Sequence, residues 1–492
     1  AAAEVDDAEL IRIIHRLHEE TAYLRHDIGR WVGRRSNAAC ALILSMAAAC
    51  VVLEDFAAVD EWLEHDARLL ARYIDEAFYP DGQCIEQTTA YSSSVAFQVQ
   101  NTACALREQK GIRSALDKLR AMVTWAVAMS KPSGWMPSFG DHFADKLSGA
   151  VYEPMLEWVD HPWAGGFFSG EGVPPFTVWP EPGQDVWCGY HSMRSDWGPD
   201  ARYMVVDCGP WGTTHRHGDR LSFVLSAFGA DFIIDPTATR YASNAPDAFL
   251  SRQEASFLHN TVTVDGVDEF INTPNETGEP LDNRWEHGEG WSLFVGSYSF
   301  APVRPVVWER RILFVDRAYW LLQDVIRGDL VSAELEQNLQ FQEDIEVAVG
   351  QDPVLAAAPN GARLAMLQLS GGLTPALSTG GLTPRTTYWP DGKPHQTRIA
   401  EDGERPPSHG RGWTGRRGHK LLPAPALTYV GRADLPAVLT VAMVPIAPDG
   451  STEDLPRISS RIEDDRTIWV LPCAAGAVRF ETSAAGCGVA SA

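Results

Sequence analysis

The chain has 492 residues, a formal net charge of −24, 45% hydrophobic and 22% charged residues. That length is too great for one ordinary core, so two or three domains are expected. The composition is globular, the acidic balance argues against duplex nucleic acid as a partner, and no apolar run reaches the length of a membrane span.

Ala1-Ala2-Ala3-Glu4 has neither a basic n-region nor an apolar h-region, so the N-terminus does not read as a signal peptide. From residue 7 to about 160 the pattern is helical. Leu10, Ile13, Ile14 and Leu17 keep helical spacing, and further apolar patterns cover 37–53, 57–78, 91–108, 112–130 and 150–159. Tyr79-Pro80-Asp81-Gly82 and Lys131-Pro132-Ser133-Gly134 break the run. Short connections between consecutive helices suggest stacked helical hairpins. The expected helical domain is 1–165, and the Gly- and Pro-rich stretch 166–186 reads as a linker.

From 187 to 492 the pattern is that of strands. Tyr203–Asp207, Leu221–Leu225, Phe232–Ile234, Thr261–Val264, Arg311–Val315, Tyr319–Gln323, Ala437–Val444 and Ile468–Leu471 are β-branched or aromatic runs between turns. Many strands without intervening helices imply an antiparallel β-sandwich. Residues 371–425 read as a loop-rich insertion. The expected class is therefore an α+β multidomain protein.

Eight scattered cysteines include no CxxC pair, which argues against a zinc-thiolate site. Arg34, Arg35 and the stretch Arg411–Lys420 are locally basic and could meet a polyanion, or could be solvated loop. Most of the seventeen tryptophans are explained by packing; a few could stack on sugar rings.

The densest chemistry lies in Thr214-His215-Arg216-His217-Gly218-Asp219. On a strand, His215 and His217 would share one face. Asp235 ends the apolar run Phe232-Ile233-Ile234, and His259 opens another strand. His217, Asp235 and His259 would supply three metal ligands from separate strands, with zinc the expected ion; satisfied core histidines are the alternative. His215 is then free for proton transfer, to which an imidazole of ordinary pKa, about 6.5, is suited. Taken alone, Tyr91 reads equally well as a packing aromatic, and Asn37 as an N-cap before an Ala-rich helix. Arg194 and Arg252 read as loop-bracing residues, and Gly140-Asp141 as a turn with a structural acid.

The run Arg194-Ser195-Asp196-Trp197, His215-Arg216-His217-Gly218-Asp219, Asp235-Pro236, Tyr241, Arg252 and His259-Asn260-Thr261-Val262 resembles the heparinase II/III-like family of polysaccharide lyases. Trp31 to Asn37, Glu86-Gln87-Thr88-Thr89-Ala90-Tyr91 and Met136-Pro137-Ser138-Phe139-Gly140-Asp141 extend the likeness into the helical half. The resemblance implies an N-terminal (α/α) toroid followed by an antiparallel β-sandwich, and β-elimination of a uronic-acid polysaccharide such as heparin, heparan sulfate or alginate. It implies Asn37 as neutraliser of the substrate carboxylate, helped by Gln87; Arg35, as a basic residue, and Arg252, as a bidentate partner for a carboxylate, are the further expected substrate contacts. Tyr91 is the implied acid, and also the base where both groups leave from one face; His215 is the implied base or partner of Tyr91 on the opposite face, and His217, Asp235 and His259 are the zinc positions.

Two departures stand out. Several relatives carry a histidine beside the asparagine, where this chain has Ala38 and Ala39. The helical stretch is also short for a whole toroid, so the toroid is incomplete or begins upstream of this chain. Two other functions stay open: a catalytically silent carbohydrate-binding protein of the same fold, and a zinc-dependent glycan hydrolase with Asp219 as base. An anionic polysaccharide or oligosaccharide is the expected partner, without nucleic acid or membrane, and a homo-oligomer is left open. The substrate class implies a periplasmic or secreted protein.

Overall fold

The computed structural model describes all residues except 1–5, 143–144, 216, 237–254, 268–273, 302–303, 381–386, 389–393, 396–410, 417–419 and 492. Arg252 and Tyr241 lie outside the described residues. Two compact units emerge. One comprises residues 1–85, 91–127 and 147–175, and the other 86–90, 128–146 and 176–492.

The first unit is helical: α1 (Asp7–Val32), α2 (Asn37–Val52), α3 (Val59–Ala77), α4 (Thr89–Ala105), α5 (Leu116–Met129), α6 (Gly149–Leu156) and α7 (Ala164–Ser169). Helix α1 starts where the Asp6 side chain accepts the backbone N–H of Glu9 at 2.8 Å, with Asp7 and Glu9 adding charge that suits a helix N-terminus. Arg25 of α1 forms a two-pronged ion pair with the buried Asp66 of α3 and stacks 4.7 Å over Trp62, fastening the two helices. Helix α2 buries Ala39, Cys40, Ile43, Met46, Ala47 and Cys50, at helical spacing. In the Pro80-Asp81-Gly82 break, Gly82 has φ +97°, and a Cβ there would fall 2.3 Å from the Ala121 carbonyl oxygen, so only glycine fits. Among the described residues no helix is long and apolar enough to cross a membrane.

The second unit is built of antiparallel sheets. A five-stranded sheet runs in order through Val178–Trp179, Tyr190–Arg194, Tyr203–Asp207, Phe223–Ala227 and Ala230–Ile233. An eight-stranded sheet has Val306–Val315 and Tyr319–Gly328 near its middle, and Ala437–Ile446 beside them. A four-stranded sheet carries Val262–Val264 at one edge, and another closes the C-terminus. Along Tyr319–Gly328 the side chains alternate between two cores. Trp320, Leu322 and Ile326 join a core with Phe223, Phe232 and Val262, while Tyr319 and Leu321 face Trp469, Leu471 and Phe480. A strand buried on both faces loses the polar alternation of a half-exposed one, which is why this stretch reads as a continuous apolar run.

Three details differ from expectation. Val178–Trp179, inside the expected linker, pairs with Tyr190–Arg194. The strand expected from Leu221 begins at Phe223, because Leu221 has φ +64° and leaves the extended region. Within 371–425, Thr374–Thr379 and Trp413–Arg416 are strands, and Pro425–Asp434 begins there. Their Gly- and Pro-rich flanks mask the pattern. All eight cysteines are free thiols.

Candidate functional site

The site of the sheet unit is built by two close approaches of backbone. Gly140 (φ +62°) and Gly212 (φ +93°) each bring a loop against residues 86–88. A Cβ on Gly140 would meet the His215 carbonyl oxygen at 2.7 Å, and one on Gly212 the Glu86 carbonyl oxygen at 2.6 Å. Glycine is required at both positions by crowding as well as by φ. The segments 86–90, 137–141 and 211–219 are thereby pressed together beside the strand ends.

The histidine segment is irregular rather than a strand, and His215 has φ +61°. The shared face expected from strand geometry is absent. A shared carboxylate brings the two histidines together instead. Asp141 Oδ2 lies 2.9 Å from His215 Nδ1, and Asp141 Oδ1 lies 3.2 Å from His217 Nε2. Burial alone would raise the Asp141 pKa. The hydrogen bonds from both imidazoles, and their charge, outweigh it and hold the carboxyl well below its usual range. A non-glycine residue in left-handed backbone is strained, and such strain collects at functional sites. Gln87, at φ +57°, is a second case. Its side chain is 4% exposed, and neither end of its amide finds a hydrogen-bond partner among the described residues.

His217, Asp219 and His259 are buried, and each offers one ligand atom within 4.8 Å of the others. His217 Nδ1 is buried without a hydrogen-bond partner among the described residues. A cavity of about 10 Å3 beside His217 and Asp219 has room for one water-sized body. Asp235 stands behind this group: its Oδ1 lies 2.7 Å from His259 Nδ1, and its other oxygen accepts the Ser222 hydroxyl. The carboxylate that lies within this distance of both histidines is Asp219, and Asp235, to which the sequence pointed, touches the group through His259. Histidine ligands commonly commit the second ring nitrogen to a carboxylate. Asp141 does this for His217 and Asp235 for His259, so the donor set fits a divalent metal.

Asn260 ties the scaffold of this group together. Its backbone N–H donates to Ser222, its Nδ2 donates to the Phe223 and Ile234 carbonyls at 2.8 Å, and its Oδ1 accepts from the Gln340 N–H at 2.6 Å. Arg310, fully buried, pairs with both oxygens of Asp324 at 2.8 Å and donates to the carbonyls of Leu221 and Asn260. Sequence reasoning passed over Asp141 as a structural acid and gave Asn260 and Arg310 no role. The spacing Gly-Asp after an apolar Met-Pro-Ser-Phe was the available signal for Asp141.

Asn37, Arg35 and Tyr91 belong to the helical unit, and Arg194 to the sheet unit. Asn37 is half-buried as the first residue of α2. Ser36, not Asn37, stands at the N-cap, without a side-chain capping bond. Arg35 has φ +55° in the turn before it. Tyr91 is the third residue of α4 and is half-buried. Arg194 is buried and donates to the carbonyls of Ala128 and Ser130, which is the bracing role expected.

Two family descriptions match the chain in order: Heparinase II/III N-terminus over residues 1–160 and Heparinase II/III-like, C-terminal over 186–403. A heparin-sulfate lyase from Pedobacter heparinus is 22% identical over 309 residues, which are 60% of this chain and 44% of that protein. The chain thus matches less than half the length of that relative. Among solved structures, a heparan sulfate lyase mutant from Pedobacter heparinus superposes with a TM-score of 0.72 at 17% identity, covering 99% of this chain and 70% of that one. A heparinase III gene product does so with 0.70 at 15% identity, covering 91% and 66%. These likenesses establish the fold, helices followed by antiparallel sheets. With both family halves matched in order over most of its length, the chain belongs to the heparinase II/III-like family.

Proposed function

We propose that the chain is a polysaccharide lyase that cleaves a uronic-acid glycosaminoglycan of the heparin or heparan sulfate type by β-elimination. The observation that carries this reading is the Asp141–His215 pair. With its Nδ1 proton directed to Asp141, His215 would act as the base through Nε2. That base takes the proton from C5 of the uronate. The electron pair forms the C4=C5 double bond, the C4–O4 bond breaks, and an acid protonates the departing O4. By resemblance Tyr91 is the acid. Asn37 and Gln87 donate to the uronate carboxyl, which stabilises the charge that develops on it. Arg35 and Arg252 are proposed as substrate contacts for their guanidinium charge.

His217, Asp219 and His259, with Asp235 behind, would hold one zinc ion, which would supply fixed positive charge and rigidity to the loop carrying His215. The names of the relatives support heparin-type substrates over alginate. Such polymers lie outside the cytoplasm, so a periplasmic or secreted setting follows from the proposal.

The test is incubation with heparan sulfate, heparin, hyaluronan, chondroitin sulfate and alginate, following ultraviolet absorbance of the unsaturated uronate. A rise with heparan sulfate that vanishes in Tyr91→Phe is expected. Reducing ends without absorbance would mean hydrolysis, and binding with neither product would mean a silent carbohydrate-binding protein. Elemental analysis should find about one zinc per chain.

A further inference from the structure

A second cavity of the sheet unit shares no residue with the histidine site. It encloses about 150 Å3 between two hairpin tips, and Arg194, Arg317, His287, Ser292 and Trp291 are among its lining residues. Among the described residues no carboxylate lines it. Neither guanidinium has an ion pair among the described residues. Arg194, only 3% exposed, donates through Nη2 to two backbone carbonyls, and the exposed Arg317 donates to the Ser195 carbonyl at 3.4 Å. Two arginines at one cavity, neither in an ion pair among the described residues, stand out in a chain of net charge −24.

The hairpin that presents Arg317 is built against local preference. Asp316 and Arg317 both have positive φ, at +52° and +53°, and the Ala318 N–H bonds to the Val315 carbonyl. This is a tight hairpin turn in which Asn-Gly is favoured. The turn is held by Asp316, whose N–H donates to the Gly290 carbonyl and whose Oδ2 accepts from Ala474 N at 2.6 Å. Arginine at the second position keeps a cation at the cavity at the expense of backbone strain.

His287 completes the lining. Its Nδ1 lies 3.2 Å from the Ser292 hydroxyl, and its Nε2 is buried without a hydrogen-bond partner among the described residues. Burial holds its pKa down, at about 4, despite the neighbouring Glu286. A neutral imidazole that accepts from Ser292 at Nδ1 carries its proton on Nε2, ready to donate.

We propose that this cavity binds one oxyanion, a sulfate or carboxylate group such as an acidic glycan carries, outside the eliminating residues. The volume suits one such group and not a whole oligosaccharide, for which pockets of about 300 Å3 or more are usual. The partly apolar wall of Trp291 and Phe314 strengthens charge-assisted hydrogen bonds there. The oxyanion itself stands independently of the lyase reading; a glycan as its source rests on that reading.

The test is calorimetric titration of the full chain with sulfate and with acetate, against a chloride control of equal ionic strength. Saturable binding is expected, weakened about tenfold or more in Arg317→Gly. Glycine suits the left-handed backbone at 317, so this variant should melt no lower than the parent, which separates lost binding from lost folding. His215→Ala should bind the anion unchanged. Competition by a sulfated uronate disaccharide and by its unsulfated counterpart then tells whether sulfate or carboxylate is held. No saturable binding, or equal binding by Arg317→Gly and the parent, would overturn the proposal. Sulfate binding in a chain that yields no unsaturated uronate would sink the lyase reading and leave this one standing.

Discussion

Two buried polar clusters of the sheet unit can be set side by side. In the first, Arg310 and Asp324 are matched bond for bond, with Trp308 Nε1 and Gln337 Nε2 also donating to Asp324 at 2.8 and 2.7 Å. In the second, His217 Nδ1 has no hydrogen-bond partner among the described residues, beside Asp219 and His259. Both clusters are charged and buried, so burial alone does not mark function. The first closes its hydrogen-bond account within the protein, whereas the second leaves a donor set addressed to something else.

This contrast can be broken most strongly at the first cluster. Asp324→Ala strands a buried guanidinium and should cost about 3–5 kcal/mol, read as a lower denaturant midpoint. An unchanged midpoint would show that the pair is not structural. Next, His215→Ala should lower the elimination rate about 10²–10⁴-fold while the melting temperature holds. A variant that loses stability in proportion to activity would move His215 into the first class. Asp141→Asn should cost about 10–100-fold in zinc affinity or rate, with the fold intact. Retention of both zinc and rate would reduce Asp141 to a turn residue.

The smallest effect is on pH. Burial holds His142 and His191 at about 3, below the usual 6.5. The unfolded chain therefore takes up protons first as the pH falls. Their contribution to stability is complete above about pH 6.5 and declines as the pH drops toward 3, by about 1.4 kcal/mol per unit for each group. His191→Gln should flatten the acid slope of the melting temperature. A slope identical to the parent's would exclude His191 as a source.

The helices were legible because their apolar spacing and Gly-Pro breaks are local, as in Pro80-Asp81-Gly82 before α4. Strands such as Tyr203–Asp207 were legible for the same reason. His215, His217 and His259 stood out as chemistry without a packing excuse. Their partners were harder to find. Asp219 and Asp235 are both aspartates near strand ends, and only the fold decides which one faces the histidines and which stands behind. The spacing of His215 and His217 suggested a strand, but positive φ at His215 is invisible in a side-chain pattern. Asp141 lies 74 residues from His215 along the chain, and only the glycine crowding at Gly140 and Gly212 brings it there.

That crowding bears on how this protein can be taken apart. The sheet unit recruits residues 86–90 and 128–146 from stretches that alternate with helices. A fragment cut at residue 176 would keep His215, His217 and His259 but lose Gln87 and Asp141. The histidine cluster with its Asp141 and Gln87 neighbours cannot be transplanted as one continuous piece of gene. It is spelled in three separated passages, and grafting that cluster onto another protein would require copying all three.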